Sequence, residues 1–515
     1  MTENTSTNDL TDSNIRLTER INHSWREQSK AFIKRIKNFF KEITVEPCVF
    51  IYYFCIQLSS LTVQNMHLEK SCRVNYQFGD EICNRIRDRN TTGLEYELNQ
   101  VQSLVAKVVA WKFPLQTAIP AVMVLFVGAW SDKTRKRKIC VLSPIFGEIL
   151  VNIGLLLATY FFYELSLFGT ALLEALPAAL SGSYIIVFMG MYAFLTDRTT
   201  LANRTYRLGL AGMCISLGNP LGTAMSGVLL RALGYYGMFS LVLGLHIIVF
   251  LYGLFRLEDV CAVEEPRSSE YEGKNVVCTK IREVFGLVVN TVLVTLKPRA
   301  FMGRTQIFLV LVLYLIMVGP LYGDSQVSYL YAIRKFSFDE VEYSIYGTIN
   351  TVLGSLGTFF CISFLSKTMQ VQDSVIGALA GVSRIAACFV FAFAPSRPWY
   401  YSAPLFNIFS HTGLIAIRCL ASKSVPVEEI AKLNALIGVT EAIAPSIYMP
   451  TSSYIYVSTI DYFPGAFYLF DAALTVVAVV FFVFIYVLVK RRNRNAVIDS
   501  CRKEEFVRTN EMSRF

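Results

Sequence analysis

The chain has 515 residues; 54% are hydrophobic, 17% are charged, and the formal net charge is +9. Soluble domains carry about 25% charged residues, and the mean hydropathy of +0.45 points the same way. An ordinary soluble enzyme is therefore excluded and a polytopic membrane protein is expected. The basic excess is read as membrane topology rather than nucleic-acid binding, because the cations gather between apolar runs.

Residues 1–42 are polar and hold Arg16, Arg20, Arg26, Lys30, Lys34, Arg35, Lys37 and Lys41, which predicts a cytosolic N-terminal tail. Twelve spans follow, near 43–66, 108–130, 138–162, 168–195, 207–230, 234–256, 303–324, 340–365, 373–394, 398–420, 431–455 and 463–489. A run near 20 apolar residues crosses a bilayer of about 30 Å as a helix. Residues 471–489, DAALTVVAVVFFVFIYVLV, hold one acid and then no charge. The fold class is an all-α membrane protein with two six-helix halves, 43–256 and 303–489. The segment 257–302 reads as a cytosolic linker, with 281–296 apolar enough for an interfacial helix. Residues 490–515, opening KRRNRN, read as a basic cytosolic tail.

The external loop, 67–107, carries the sequon at Asn90, the one of four that falls on the outer side of this topology. It also holds Cys72 and Cys83. An isolated pair in an oxidising compartment is read as a disulfide, with two free thiols as the alternative. Span 5 is rich in glycine and holds Pro220; span 11, its counterpart in the second half, holds Pro445 and Pro450. Helices interrupted at matching positions point to a transporter cavity. For the span 5 glycines, close packing is the favoured role.

The 2–3 loop reads GAWSDKTRKRK at 128–138. Its cations fix orientation, Asp132 is placed to form an interdomain latch, and Gly128 permits close approach of a helix. This stretch resembles the pattern Gly-x-x-x-Asp-(Arg/Lys)-x-Gly-Arg-(Arg/Lys) of the major facilitator superfamily. Gly128, Asp132, Lys133, Lys136 and Arg137 fit it; Arg135 stands where the pattern has glycine. More narrowly, ITVEPCVFIYYF at 43–54, EKSCRVN at 69–75, LTDRTTLANRTYRLGL at 195–210 and IRCLASKSVPVEEIAKLNALIG at 417–438 resemble the proton-coupled folate transporter family, solute carrier family 46. The resemblance implies transport of folates or muropeptide-like anions, with protons. It matches Arg418 to the family's functional arginine in span 10, and sets Ser183 and Gly212 where the folate carrier has acids.

Ionisable residues inside a bilayer are costly and mark function by default. Arg418 and Arg384 are expected to attract an anionic substrate, since guanidinium meets carboxylate as a fork. Glu441 or Glu148 is expected to carry the proton. The alternative for each is an internal ion pair that holds helices together. Glu174 and Asp471 lie toward the outer half and read as snorkelling or water-exposed; His411 reads as a hydrogen-bonded packing histidine, with a proton relay as the alternative. Glu46 and Asp324 stand close to the interfaces.

No Walker loop, H-E-x-x-H or G-x-S-x-G occurs, so no enzyme and no cofactor are expected. The function expected is secondary active transport, a proton-coupled symport of a small organic anion by alternating access. The alternatives are a facilitative or other-ion-coupled carrier, a receptor with a transporter fold, and a channel. The expected partners are the anion, protons and membrane lipids. Plasma membrane and lysosomal or endosomal membrane both fit.

Overall fold

A computed structural model of the chain describes residues 43–199, 201–259, 303–423 and 427–512. The N-terminal tail and most of the linker, including 281–296, lie outside the described residues. The rest is helical. Span 1 is Glu46–Lys70, continued by a wider turn over Ser71–Tyr76. A short helix, Asp80–Arg87, leads to span 2, Glu95–Thr134. Span 3 is Lys138–Tyr160. Span 4 is two helices, Leu167–Ser181 and Ser183–Arg198, and spans 5 and 6 together are Leu201–Arg256. In the second half span 7 is Gly303–Phe336, span 8 Glu340–Phe360, span 9 Asp373–Phe393, span 11 Val427–Thr459 and span 12 Ala466–Met512. Span 10 is Arg397–Phe406 and Thr412–Lys423.

Among the described residues nine helices are long and apolar enough to cross a membrane. The difference from twelve has local causes. Spans 5 and 6 are continuous in helical hydrogen bonding but reverse at Gly234, where φ is 63°. Arg207, at one end, lies 2.7 Å from Glu46, and Gly253, near the other, backs onto Cys48. Both ends therefore return to the start of span 1. Span 10 is cut into two pieces, each short on its own, and span 11 opens with Glu428, Glu429 and Lys432 and then holds Glu441 among polar residues such as Thr451, Ser452 and Ser453.

One sequence expectation is corrected here. The segment 67–107 expected as the external loop already contains the start of the span 2 helix, at Glu95. The prolines of spans 5 and 11 do not interrupt their helices; Pro220, Pro445 and Pro450 all stand inside helix. Neighbouring helices and side chains re-satisfy the backbone groups that a proline frees in a membrane helix. The interruptions fall instead in spans 4 and 10, which also hold matching positions in the two halves. Span 4 breaks at Gly182, whose φ of 98° suits a residue without Cβ, and Ser183 follows at φ 49°. Span 10 breaks over 407–411, where Asn407, Ser410 and His411 interrupt the apolar run.

Apolar stripes face outward, as lipid contact requires. Phe146, Leu150, Ile153 and Leu157 form one on span 3, and Val476, Val480, Val483 and Val487 form another on span 12. Small residues face inward: a Cβ on Gly222 would stand 2.5 Å from the Phe54 carbonyl, so glycine lets span 5 lie on span 1. The buried apolar core divides by position. One cluster joins the halves through Leu98, Val101, Val105, Tyr329, Tyr331 and Tyr456. Two others each belong to one half, around Tyr52 and Phe194 in the first and around Tyr314 and Phe482 in the second.

Candidate functional site

The joining cluster lies at the end of the bundle that carries Asn90, here termed the Asn90 face; the opposite end is the Arg137 face. At the Asn90 face the halves are tied by side chains. Asn99 and Gln102, one turn apart on span 2, point at spans 7 and 11. Asn99 Oδ1 accepts from Arg334 Nε at 2.6 Å, and its Nδ2 donates to Asp461 Oδ1 at 2.6 Å. Gln102 Nε2 donates to the Leu330 carbonyl at 3.1 Å, and its Oε1 accepts from Tyr456 Oη at 2.8 Å. Arg89 reaches from the external loop to Asn65 at 2.9 Å and Tyr329 at 3.0 Å. Arg231 lies 2.9 Å from Asp339, which also caps span 8. Burial pushes the Asp339 carboxyl up, but the Glu342 backbone N–H and Arg231 outweigh it and hold it below the ordinary aspartate value. Cys72 and Cys83 form a disulfide in the external loop, and Asn90 is exposed beside it.

The ion pairs seen among the described residues at the Arg137 face each stay within one half. Arg135 and Arg137 both reach Asp197 at the end of span 4, at 3.0 and 2.9 Å, and Lys423 reaches Asp373 at 2.5 Å. Arg135 ends span 2 with φ 56°, so it makes the left-handed turn for which the family pattern has glycine. The side chains of Asp132 and Lys133 lie outside the described residues. Among the described residues, a Cβ on Gly128 would meet nothing within 4 Å. Among the described residues, the acid that Arg135 and Arg137 both reach is Asp197.

Between the faces lies a cavity of about 220 Å³, bounded by spans 1 to 4 with Gln326 of span 7. Glu148 lines it, as do Lys112 and Glu174. Lys112 Nζ stands 2.8 Å from Glu174 Oε1, and His67 Nε2 stands 3.4 Å from Oε2. Glu174 is thus neither snorkelling nor water-exposed: its side chain is 13% exposed and ion-paired. Asn152 donates its amide to the Glu148 carbonyl at 2.7 Å, which leaves its Oδ1 buried and unpartnered. Thr117 of span 2 meets Ser446 of span 11 at 2.7 Å, so the halves also touch beside the cavity.

Arg418 and Glu441 are brought together, 2.9 Å apart on spans 10 and 11, and Arg418 also donates to Tyr314 Oη at 3.1 Å. Tyr53, Tyr184 and Tyr192 of the first half lie within electrostatic range of Glu441, so this pair faces the other half. Arg384 is placed elsewhere. It is 6% exposed and bound to Asp324 of span 7 and, at 3.4 Å, Asp471 of span 12. Asp471 is fully buried, which corrects its reading as water-exposed. His411 packs its ring against Gly354. Lys112 and His67 were not singled out from the sequence. Lys112 in AWKFPLQ was the available signal, a lone cation inside an apolar run; His67 lay one residue beyond the expected end of span 1.

A family model described as the Major Facilitator Superfamily matches residues 48–417. The Drosophila melanogaster protein named "Probable peptidoglycan muropeptide transporter SLC46" is 24% identical over 437 residues, covering 84% of this chain and 83% of its own. A lysosomal proton-coupled steroid conjugate and bile acid symporter of Gallus gallus is 24% identical over 447 residues, covering 85% and 92%. Among solved structures, a POT family transporter in complex with a thioalcohol-conjugated peptide superposes with a TM-score of 0.56 at 15% identity, over 87% of this chain and 96% of that one. That likeness concerns the fold.

Proposed function

The chain belongs to the major facilitator superfamily, and from that footing we propose that it is a secondary active transporter carrying a small organic anion together with protons. One observation carries the reading: the two halves are tied together at the Asn90 face, while the ion pairs named at the Arg137 face stay within a half. That is one end state of an alternating-access cycle, with a polar cavity in the first half that Gln326 of span 7 also lines. The positive-inside bias of residues 1–42, the 2–3 loop and KRRNRN assigns the Arg137 face to the cytosol and the Asn90 face to the outside or a lumen.

In this reading Arg418 receives a substrate carboxylate. Glu441 holds the guanidinium when substrate is absent, and Glu441 or Glu148 takes the proton. Arg384 is better assigned to clamping spans 7, 9 and 12, because both carboxylates within its reach already bind it. Gly128, Asp132, Lys133 and Arg137 belong to the cytosolic gate. Names of relatives that include muropeptides, steroid conjugates and bile acids support the organic-anion class. The test is uptake of radiolabelled folate and taurocholate by purified full-length protein in liposomes, with and without an acidic exterior. Acid-driven accumulation is expected. Uptake that merely equilibrates means a facilitative carrier, and binding without uptake means a receptor.

A further inference from the structure

Lys112 and Glu174 lie in the cavity wall and have no part in the assignments above. Lys112 is 3% exposed, and its ammonium stands 2.8 Å from Glu174 Oε1 and 4.7 Å above the Phe113 ring. His67, 1% exposed, faces the other oxygen of Glu174 at 3.4 Å. A buried ion pair is weak evidence for stability, since apolar residues of like size usually serve as well. This pair ties two helices of the same half, so it does not close either face. Its distinguishing property is that both partners reach the cavity.

Charge balance then sets what the cavity admits. Lys112 and Glu174 sum to zero. An entering anion that approaches Lys112 adds one uncompensated negative charge in a region of low dielectric, where that costs several kcal/mol. A proton on Glu174 restores the balance and at the same time frees the ammonium. The charged and titratable groups around the pair are His67 and Lys70 on span 1, Glu148 on span 3, and Tyr52 and Cys55 of span 1 beside Glu148. Span 7 contributes the neutral Gln326. Lys70 is engaged with the carbonyls of Phe162 and Leu165 at 2.8 and 2.9 Å, so it does not compete for Glu174.

We propose that Lys112 is a binding site for an anionic group of the substrate, masked by Glu174, and that a proton taken up by Glu174 from the cavity unmasks it. One proton enters with one anionic group. Loss of the proton on the other side of the membrane lets Glu174 retake Lys112 and expel the anion. The inference rests on the anion–proton reading above and gives it an exchange step in the first half, separate from Arg418 and Glu441.

The test has two arms. In the first, liposomes carrying the full-length protein on a solid-supported membrane are stepped from neutral to acidic buffer with no organic anion present. The wild type is expected to give a transient charge displacement, to which Glu441 or Glu148 also contributes, and Glu174→Gln to give a clearly smaller one. No displacement in the wild type, or one undiminished in Glu174→Gln, overturns the proposal. In the second arm, exchange of radiolabelled folate and taurocholate is measured against pH. Glu174→Gln, which mimics the protonated acid, should lose part of the wild type's gain between neutral and acidic buffer. Lys112→Gln should raise half-saturation by about thirtyfold or more, as loss of one partner of a buried charge pair does. An unchanged half-saturation overturns the Lys112 assignment. If neither probe enters with the wild type, the organic-anion reading fails while the first arm still decides the proton step. The Lys112→Gln/Glu174→Gln double variant guards against misfolding: it leaves no lone buried charge, and it should fold yet show the same reduced displacement as Glu174→Gln.

Discussion

Asn99 ties the Asn90 face shut with two short hydrogen bonds, to Arg334 and Asp461. Asn99→Ala removes both. Hydrogen bonds to charged groups contribute about 1.5–3 kcal/mol each when protected from water. Asn99 is 8% exposed and Arg334 is partly buried, so the first bond belongs near the low end of that range. Asp461 is exposed, and its bond is discounted to about 0.5 kcal/mol. The sum, about 2 kcal/mol, shifts the balance between closed and open Asn90 face by about thirtyfold. In the open state water replaces both bonds, so the cost falls on closure and not on folding. Spin labels at exposed Tyr96 and Tyr462, one in each half, report the separation of that face. Their distance distribution should broaden toward longer values in Asn99→Ala while the melting temperature holds. An unchanged distribution, or a lowered melting temperature at unchanged distance, would refute the assignment of Asn99 to the gate.

Asn90→Gln should abolish the glycosidase-sensitive shift on a gel; a glycan remaining at Asn203 would contradict the orientation proposed for the first half. Arg384→Leu leaves Asp324 and Asp471 without their cation, so stability should fall by about 3–5 kcal/mol, read as a lower thermal unfolding midpoint of the detergent-solubilised protein. Arg418→Ala should raise the half-saturation of transport and Arg418→Lys should restore part of it, because lysine keeps the charge but loses the planar fork; full restoration by lysine would exclude a fork contact. The Asp339 carboxyl sits below its ordinary value in the fold, so its link to Arg231 is fully present above about pH 4 and is lost as pH falls through the lowered value. The Asn90 face should hold through mild acid, and Asp339→Asn should loosen it at neutral pH in the same spin-label measurement.

The spans were legible because lipid forces the backbone into helices and leaves long apolar runs. The disulfide was legible because Cys72 and Cys83 stand apart from the other cysteines. The helix ends were not. Span 2 extends to Glu95, into sequence as polar as EYELNQ, because its partners there are other helices and not lipid. The same effect hid His67, which read as loop. Proline was a poor guide to broken helices: Pro220, Pro445 and Pro450 sit within helix, while Gly182 and the 407–411 stretch do not. Single buried charges were visible, but their partners were not. Arg384 looked free for a substrate until Asp324 and Asp471, 60 and 87 residues away, closed around it. Pairing at that range is decided by helix packing, which no local pattern reports.

The Asp324–Arg384–Asp471 cluster also bears on how the chain is made. Its members arrive in the order in which the ribosome delivers spans 7, 9 and 12. Arg384 enters the bilayer as a cation that costs about 2.5–3.5 kcal/mol near a span centre, and only Asp324 is already there to receive it. Asp471 comes last, in the final span. Until then the arginine has one acid of its two, and the wall that span 12 will fill stands open to lipid. Completion of the second half is thus tied to completion of synthesis, since a chain lacking span 12 leaves Arg384 with one of its two acids and a charged seam exposed.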